Sequence, residues 1–314
     1  MRVQLLGRSR RRSAAACAAV ALFGCACSTA SSVKSSDTRG TVVAVGAENE
    51  YANVIAQIGG RYVEVTAVLT NPNTDPHSFE ASPSVAAVVS AAQLIVQNGA
   101  DYDTFMNTIE AASPDPKRKV IDVQRTLGLP SGTPNPHLWY SPSTMPAVGT
   151  VITGDLSGLD PAHAAYFREN LAEFDRSLTP WLQAISNFKA RYPRTPVAST
   201  EPVADYMLEA AGTDNETPFA LQADIMNGVD PPPEDITLQD RLFTEHKVKV
   251  FLYNEQVTDS ITQSFLGLAK ASGIPVVCVY ETMPTPGYDY QTWMLAEVQA
   301  LEKAVASKVS TGRL

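Results

Sequence analysis

After residue 40 the chain alternates short runs of apolar, mostly β-branched residues with longer stretches in which apolar positions recur every three or four residues. "TVVAVG" (41–46) precedes "ENEYANVIAQIGG", "YVEVTAVL" (62–69) precedes "SPSVAAVVSAA", "QLIVQNG" (93–99) precedes "DYDTFMNTIEAA", and "KVIDV" (119–123) follows. Continuous apolar strands between amphipathic helices predict a parallel sheet covered on both faces. The same rhythm returns in "PVAST", "EPVADYMLEAAG", "VKVFLYN", "TDSITQSFLGLAKASG", "IPVVCVY" and a final helix over residues 288–309. The predicted fold class is therefore α/β, with two β/α lobes built on parallel sheets.

Between the lobes stands "GLDPAHAAYFRENLAEFDRSLTPWLQAISNFKARYP". Asp160 as N-cap and Pro161 at the first helical position start a helix, and Phe167, Leu171, Phe174, Leu178, Trp181, Ile185 and Phe188 continue it. Roughly 30 residues make a rod of about 45 Å, which Pro180 is expected to kink locally. A helical connector resists wide hinge motion, so only small closure movements are expected. The organisation that follows is a first lobe over 41–157, a linker helix over 158–192 and a second lobe over 193–314.

The first 40 residues break the pattern. Arg2, Arg8, Arg10, Arg11 and Arg12 precede an apolar run from Ala14 to Phe23 that is too short to span a bilayer permanently, which reads as a signal peptide over 1–24. Leu22-Phe23-Gly24-Cys25 resembles a bacterial lipobox, making Cys25 the lipid-bearing first residue of the mature chain. Cys27 lacks a large apolar residue three places earlier, and a plain signal peptide cut near Ala30 is the alternative. Residues 25–40 then form a polar tether behind the anchor. An extracytoplasmic, membrane-anchored lipoprotein is the expected localisation.

Composition narrows the chemistry. With 314 residues, 44% hydrophobic and 18% charged, the chain is globular, and its net charge of -9 gives no basis for binding nucleic acid. Three of the four cysteines fall in the leader, which leaves Cys278 alone in an apolar strand; neither a disulfide nor a cysteine metal site is available to the mature chain. No P-loop, GxGxxG, GxSxG or HExxH is present. Two of the four histidines share a setting: His77 in "TDPHSFEAS" and His137 in "NPHLWYSPS" each follow a proline and precede an aromatic and a helix start, in strand-to-helix connections where parallel sheets bind ligands. His163 on the linker and His246 in "TEHKVK" have plainer surroundings. In the second half, Glu201 and Glu281 each come directly after an apolar strand. Neutral imidazoles with carboxylates suit a first-row divalent ion.

These segments, with "LDPAHAAYFRENLAEF", "STEPVADYMLEAAG" and "YETMPTPGYDYQTWM", resemble the metal-binding receptors of bacterial zinc/manganese ABC importers, the cluster A-I family, over essentially everything after residue 40. The resemblance implies two α/β lobes joined by one long rigid helix. It implies one Zn2+ or Mn2+ ion held by His77 and His137 from one side and by Glu201 and Glu281 from the other. It also implies a monomer that delivers the ion to an ABC permease in the cytoplasmic membrane. Many zinc-specific members carry histidine at the position of Glu201, and the family more often has aspartate at that of Glu281, for which Asp259 and Asp289 are the alternatives. A histidine-rich loop is absent from residues 124–136. Glutamate at 201 and the missing loop lean toward the two-histidine, two-carboxylate pattern of manganese receptors, although zinc binds such sites more tightly by the general affinity order. Two other functions fit less well or equally. A secreted metallohydrolase needs an open coordination position and a general base, so the chain is not expected to be an enzyme. A metal-binding surface adhesin is compatible with the same site.

Overall fold

The computed structural model describes residues 40–73, 75–284 and 286–314. Cys25, the lipobox and the tether up to residue 39 lie outside the described residues. The first lobe runs β1 (Val42–Glu48), α1 (Asn49–Gly59), β2 (Val63–Leu69), α2 (Pro83–Ala91), β3 (Leu94–Gln97), α3 (Thr104–Ala112), β4 (Lys119–Asp122) and the single turn α4 (Val123–Thr126). Three helices follow: α5 (Thr144–Leu159), α6 (Ala164–Ser177) and α7 (Thr179–Arg191). The second lobe contains β5 (Pro196–Ser199), α8 (Asp205–Ala210), β6 (Asp214–Asn215), α9 (Phe219–Met226), α10 (Pro233–Thr244), β7 (Val250–Asn254), α11 (Ser260–Ala271), β8 (Val276–Val279) and α12 (Tyr290–Ser307).

Both sheets are fully parallel, with orders β2-β1-β3-β4 and β6-β5-β7-β8, so the two lobes repeat one topology. In each, the strand order reverses beside the first strand, the place where open parallel sheets receive ligands at their carboxyl ends. The first sheet is covered on both faces: Val45 and Ile95 meet Val89 and Met106 on one side, while Ala44, Leu94 and Val96 meet Tyr51, Ile55 and Ile152 on the other. Residues 213–247, which the hydrophobic pattern left unread, supply β6, α9 and α10.

The connector differs from one continuous rod. Pro161–His163 form a 3-10 turn before α6, and the helix is interrupted at Leu178, between α6 and α7. Pro180 is the cause: lacking an N–H, it fits the first turn of a helix and not its interior. Asp160 does not cap the backbone. Its carboxylate instead holds His163 Nδ1 at 2.6 Å, and the His163 ring stacks on Tyr62 with centroids 3.6 Å apart, so this histidine is half-buried rather than exposed.

One apolar cluster continues from the first lobe through Trp139, Phe174 and Trp181 to Tyr290, Trp293 and the second sheet. Polar ties follow the same seam. Tyr290 Oη donates to Trp139 O at 2.6 Å, Tyr140 Oη to Tyr280 O at 2.8 Å, and Asn49 exchanges two 2.9 Å bonds with the Met283 backbone. A close-packed, hydrogen-bonded seam favours small adjustments over free rotation of the lobes. Among the described residues, no helix is long and apolar enough to cross a membrane.

Candidate metal centre

The first lobe presents its histidines on two copies of one local device. In Asp75-Pro76-His77 the Asp75 Oδ1 accepts from His77 N at 2.8 Å, and in Asn135-Pro136-His137 the Asn135 Oδ1 accepts from His137 N at 3.1 Å. An Asx side chain bonded two residues ahead closes a turn, and the intervening proline fixes its dihedral. Each histidine then enters or precedes a 3-10 turn, Pro76–Ser78 or Leu138–Tyr140. His137 is fully buried, and its Nδ1–H donates to Asn135 Oδ1 at 2.8 Å, which leaves the Nε2 lone pair facing inward. Asn135 Nδ2 also donates to Pro202 O of the second lobe, so this histidine is anchored from both sides.

The second lobe presents carboxylates at strand ends. Glu201 lies just beyond β5 and Glu281 just beyond β8, flanking β7 in the sheet, and both are buried. Glu281 N and Thr282 N both donate to Gln256 Oε1, at 2.6 and 2.9 Å, which fixes the loop that carries Glu281.

Three of the four residues singled out in the sequence converge. The ligand atoms of His77, His137 and Glu281 lie within 4.8 Å of one another. Glu281 Oε2 stands 3.1 Å from His77 Nε2, 3.2 Å from His137 Nε2 and 2.9 Å from the Tyr102 hydroxyl, which donates to it. Glu201 is outside that trio but one residue away from it: Asn254 Nδ2 donates to Glu201 Oε1 at 3.2 Å and to Glu281 Oε1 at 2.6 Å. The remaining oxygen of Glu201 is buried and has no hydrogen-bond partner among the described residues. Asp259 and Asp289, the alternatives for the fourth position, each cap a helix, α11 and α12, in a capping box.

The electrostatics are those of a site that asks for positive charge. Burial pushes the Glu281 carboxyl up, but hydrogen bonds and charge from His137 and His77 outweigh it and hold the group well below the usual carboxylate range. Burial would lower His77, yet its pairing with Glu281 raises it overall, whereas at His137 burial wins and favours the neutral ring. Burial, then the charge of Glu281, pushes Glu201 well above its ordinary value. An imidazole lone pair and a carboxylate oxygen this close require a proton or a cation between them. Atoms bound at about 2.1 Å around a tetrahedral ion stand roughly 3.4 Å apart, close to the 3.1 and 3.2 Å separating Glu281 Oε2 from the two imidazole nitrogens. The donor set therefore fits a divalent transition ion.

Sequence reasoning missed Tyr102, Asn254 and Gln256. Tyr102 follows a left-handed run, with Gly99, Ala100 and Asp101 at φ of 72°, 52° and 61°. That conformation costs a non-glycine residue about 1 to 2 kcal/mol, and it is held by Asp103, which accepts from Asn98 N and Gly99 N, and by Gln124 Oε1, which accepts from Ala100 N. The turn brings the Tyr102 ring edge-on to His77, His137 and Trp139. His77, Asp101 and Tyr102 also line a cleft of about 240 Å3 together with Met226 and Asn227 of the second lobe, and the His77 side chain is 21% exposed.

Comparison with known proteins follows the same lines. The family described as zinc-uptake complex component A, periplasmic, matches residues 45–304. The manganese-binding lipoprotein MntA of Bacillus subtilis is 29% identical over 168 residues, 51% of this chain and 53% of that protein, so the chain spans about half the length of that relative in the match. The manganese ABC transporter substrate-binding lipoprotein PsaA of Streptococcus pneumoniae is 24% identical, covering 81% of this chain and 84% of its own. Among solved structures, FpvC of Pseudomonas aeruginosa in complex with Mn2+ superposes with a TM-score of 0.70 at 18% identity, over 86% of this chain and all of that one. A Mn-bound periplasmic metal binding protein from candidatus liberibacter asiaticus gives 0.68 at 19% identity, over 84% and 100%. Both structures share the two-lobed parallel-sheet fold.

Proposed function

Because the chain belongs to the zinc-uptake component A family, we propose that it is an extracytoplasmic receptor that takes one divalent transition-metal ion between its lobes and delivers it to an ABC permease. The ion is Zn2+ or Mn2+, and its ligands are His77, His137, Glu281 and Glu201. The observation that carries this reading is the buried convergence of two imidazole nitrogens and one carboxylate oxygen, drawn from both lobes, on a single point. Glu201, with a buried oxygen lacking any partner, supports the fourth place. Four protein donors without an open position suit capture and release rather than hydrolysis. Two relatives are named lipoproteins, which supports a lipid anchor on Cys25.

The test is metal-linked stability. Ligands held by two lobes are not gathered in the unfolded chain, so an ion at a thousand times its Kd stabilises the native state by about 4 kcal/mol. Purified protein stripped by a chelator is expected to melt several degrees lower than the same protein with Zn2+ or Mn2+ restored, with one ion per chain by elemental analysis. Identical melting curves would show that these residues do not form one site.

A further inference from the structure

We infer that Asn254 determines how many oxygens the second lobe offers to the ion, and thereby the choice between zinc and manganese. The inference rests on the metal-receptor reading above. Asn254 is the last residue of β7, fully buried, between the strands that carry Glu201 and Glu281. Its amide orientation is fixed, because Asn254 Oδ1 accepts from Gln256 N at 3.0 Å. Its backbone is fixed as well, with Asn254 N donating to Thr200 Oγ1 at 3.1 Å. The two hydrogens of Nδ2 therefore point at Glu201 Oε1 and Glu281 Oε1, 3.2 and 2.6 Å away.

This geometry engages one oxygen of each carboxylate. What remains is Glu281 Oε2, which faces both imidazoles, and Glu201 Oε2, which is buried and unpartnered. An oxygen that already accepts a charge-assisted hydrogen bond has one lone pair fewer and less negative charge to offer a metal, which favours coordination through the other oxygen. Two nitrogens and two single oxygens make a four-donor set, the number that zinc accepts and that leaves manganese short of its oxygen-rich shell. The two-histidine, two-carboxylate pattern leaned toward manganese on residue types alone, without regard to what each carboxylate oxygen is bonded to. Asn254 is also neutral. It serves two carboxyl groups at once without placing a cation where the ion must sit, and it positions the ligands without touching the metal.

The experiment compares wild type with Asn254→Ala and Asn254→Asp, all stripped of metal, in competition titrations with Zn2+ and Mn2+. X-ray absorption then counts the donors around each bound ion. Asn254→Asp keeps the acceptor for Gln256 N while removing the donor, but it also brings in a third carboxylate, so the deciding result is a donor gained in Asn254→Ala, or in Asn254→Leu of similar size where Asn254→Ala folds poorly. The zinc-over-manganese preference is expected to fall about tenfold in the variants, the scale of one charge-assisted hydrogen bond, and bound manganese is expected to gain a donor. A preference unchanged within about twofold, or equal weakening of both ions with no change in donor number, overturns the inference. Failure of the wild type to bind either ion would instead remove the receptor reading.

Discussion

The two lobes repeat one sheet topology but hold their proposed metal ligands in different ways. In the first, each histidine is fixed by its own neighbour two residues back, Asp75 for His77 and Asn135 for His137. In the second, the glutamates depend on residues outside their own loops: Asn254 at the end of β7 bonds both carboxylates, and Gln256 just beyond it bonds the loop of Glu281. A ligand held locally can be disturbed alone. Ligands held in common are disturbed together, because two buried carboxylates side by side repel unless one donor or one cation serves both.

The strongest test of the contrast is loss of a first-lobe ligand. His137 is sealed in the seam, whereas the His77 side chain is 21% exposed beside the cleft, where water can replace a missing nitrogen. His137→Ala is expected to weaken both ions by roughly a hundredfold or more and His77→Ala by about tenfold, since loss of the fully buried ligand takes one partner from Glu281 where water cannot replace it. Calorimetric titration decides it, and equal losses would show that burial does not separate the two.

A smaller effect follows from the local supports. Removing a group that orients a metal ligand costs about 10- to 100-fold in affinity. Asn135→Ala belongs in that range, because Asn135 holds the His137 ring, the His137 backbone and Pro202 together. Asp75→Ala removes the backbone bond to His77 and a carboxylate charge near that ring, and is expected to cost a few-fold. In both variants the zinc-to-manganese ratio stays constant, unlike that of the Asn254 variants, and a shifted ratio would erase the distinction between local and shared support.

The smallest effect concerns the seam on which both arrangements rest. Glu297 on α12 accepts from Trp293 Nε1 and Tyr140 Oη through one oxygen, while the other is buried without a partner. Burial pushes its carboxyl from 4.5 up to about 8. A carboxyl raised in the folded state contributes its stability below the unfolded value and loses it as pH climbs toward the folded one. Glu297→Gln is therefore expected to match wild type near pH 5 and to melt a few degrees higher near pH 8, measured as Tm across that range. Parallel curves would mean that Glu297 is ionised throughout.

The same local and shared division explains what could be read in advance. Asp75-Pro76-His77 and Asn135-Pro136-His137 are contiguous, so the recurrence of proline before histidine marked them, although the bonding role of the Asx residue was not drawn from it. Glu201 and Glu281 were visible as the first charged residues after apolar strands. Asn254 ends an apolar strand in the same manner, yet nothing in "VFLYNEQ" distinguishes a residue that clamps two glutamates from one that ends a strand. Tyr102 was hidden for another reason: only a left-handed turn of three residues brings it over the site, and two of those residues are not glycine.

By itself the sequence determined what depends on short spacing. Continuous apolar runs required two buried parallel sheets, amphipathic periods required the helices that cover them, and paired Pro-His turns placed two imidazoles at sheet edges. The tertiary structure decided what depends on strand order and burial. Placing β7 between β5 and β8 set one amide against two carboxylates, and closing the aromatic seam removed the water that would otherwise have satisfied them. A hydrogen bond linking residues far apart in the chain leaves no period or spacing to detect, and its strength exists only once the fold excludes solvent.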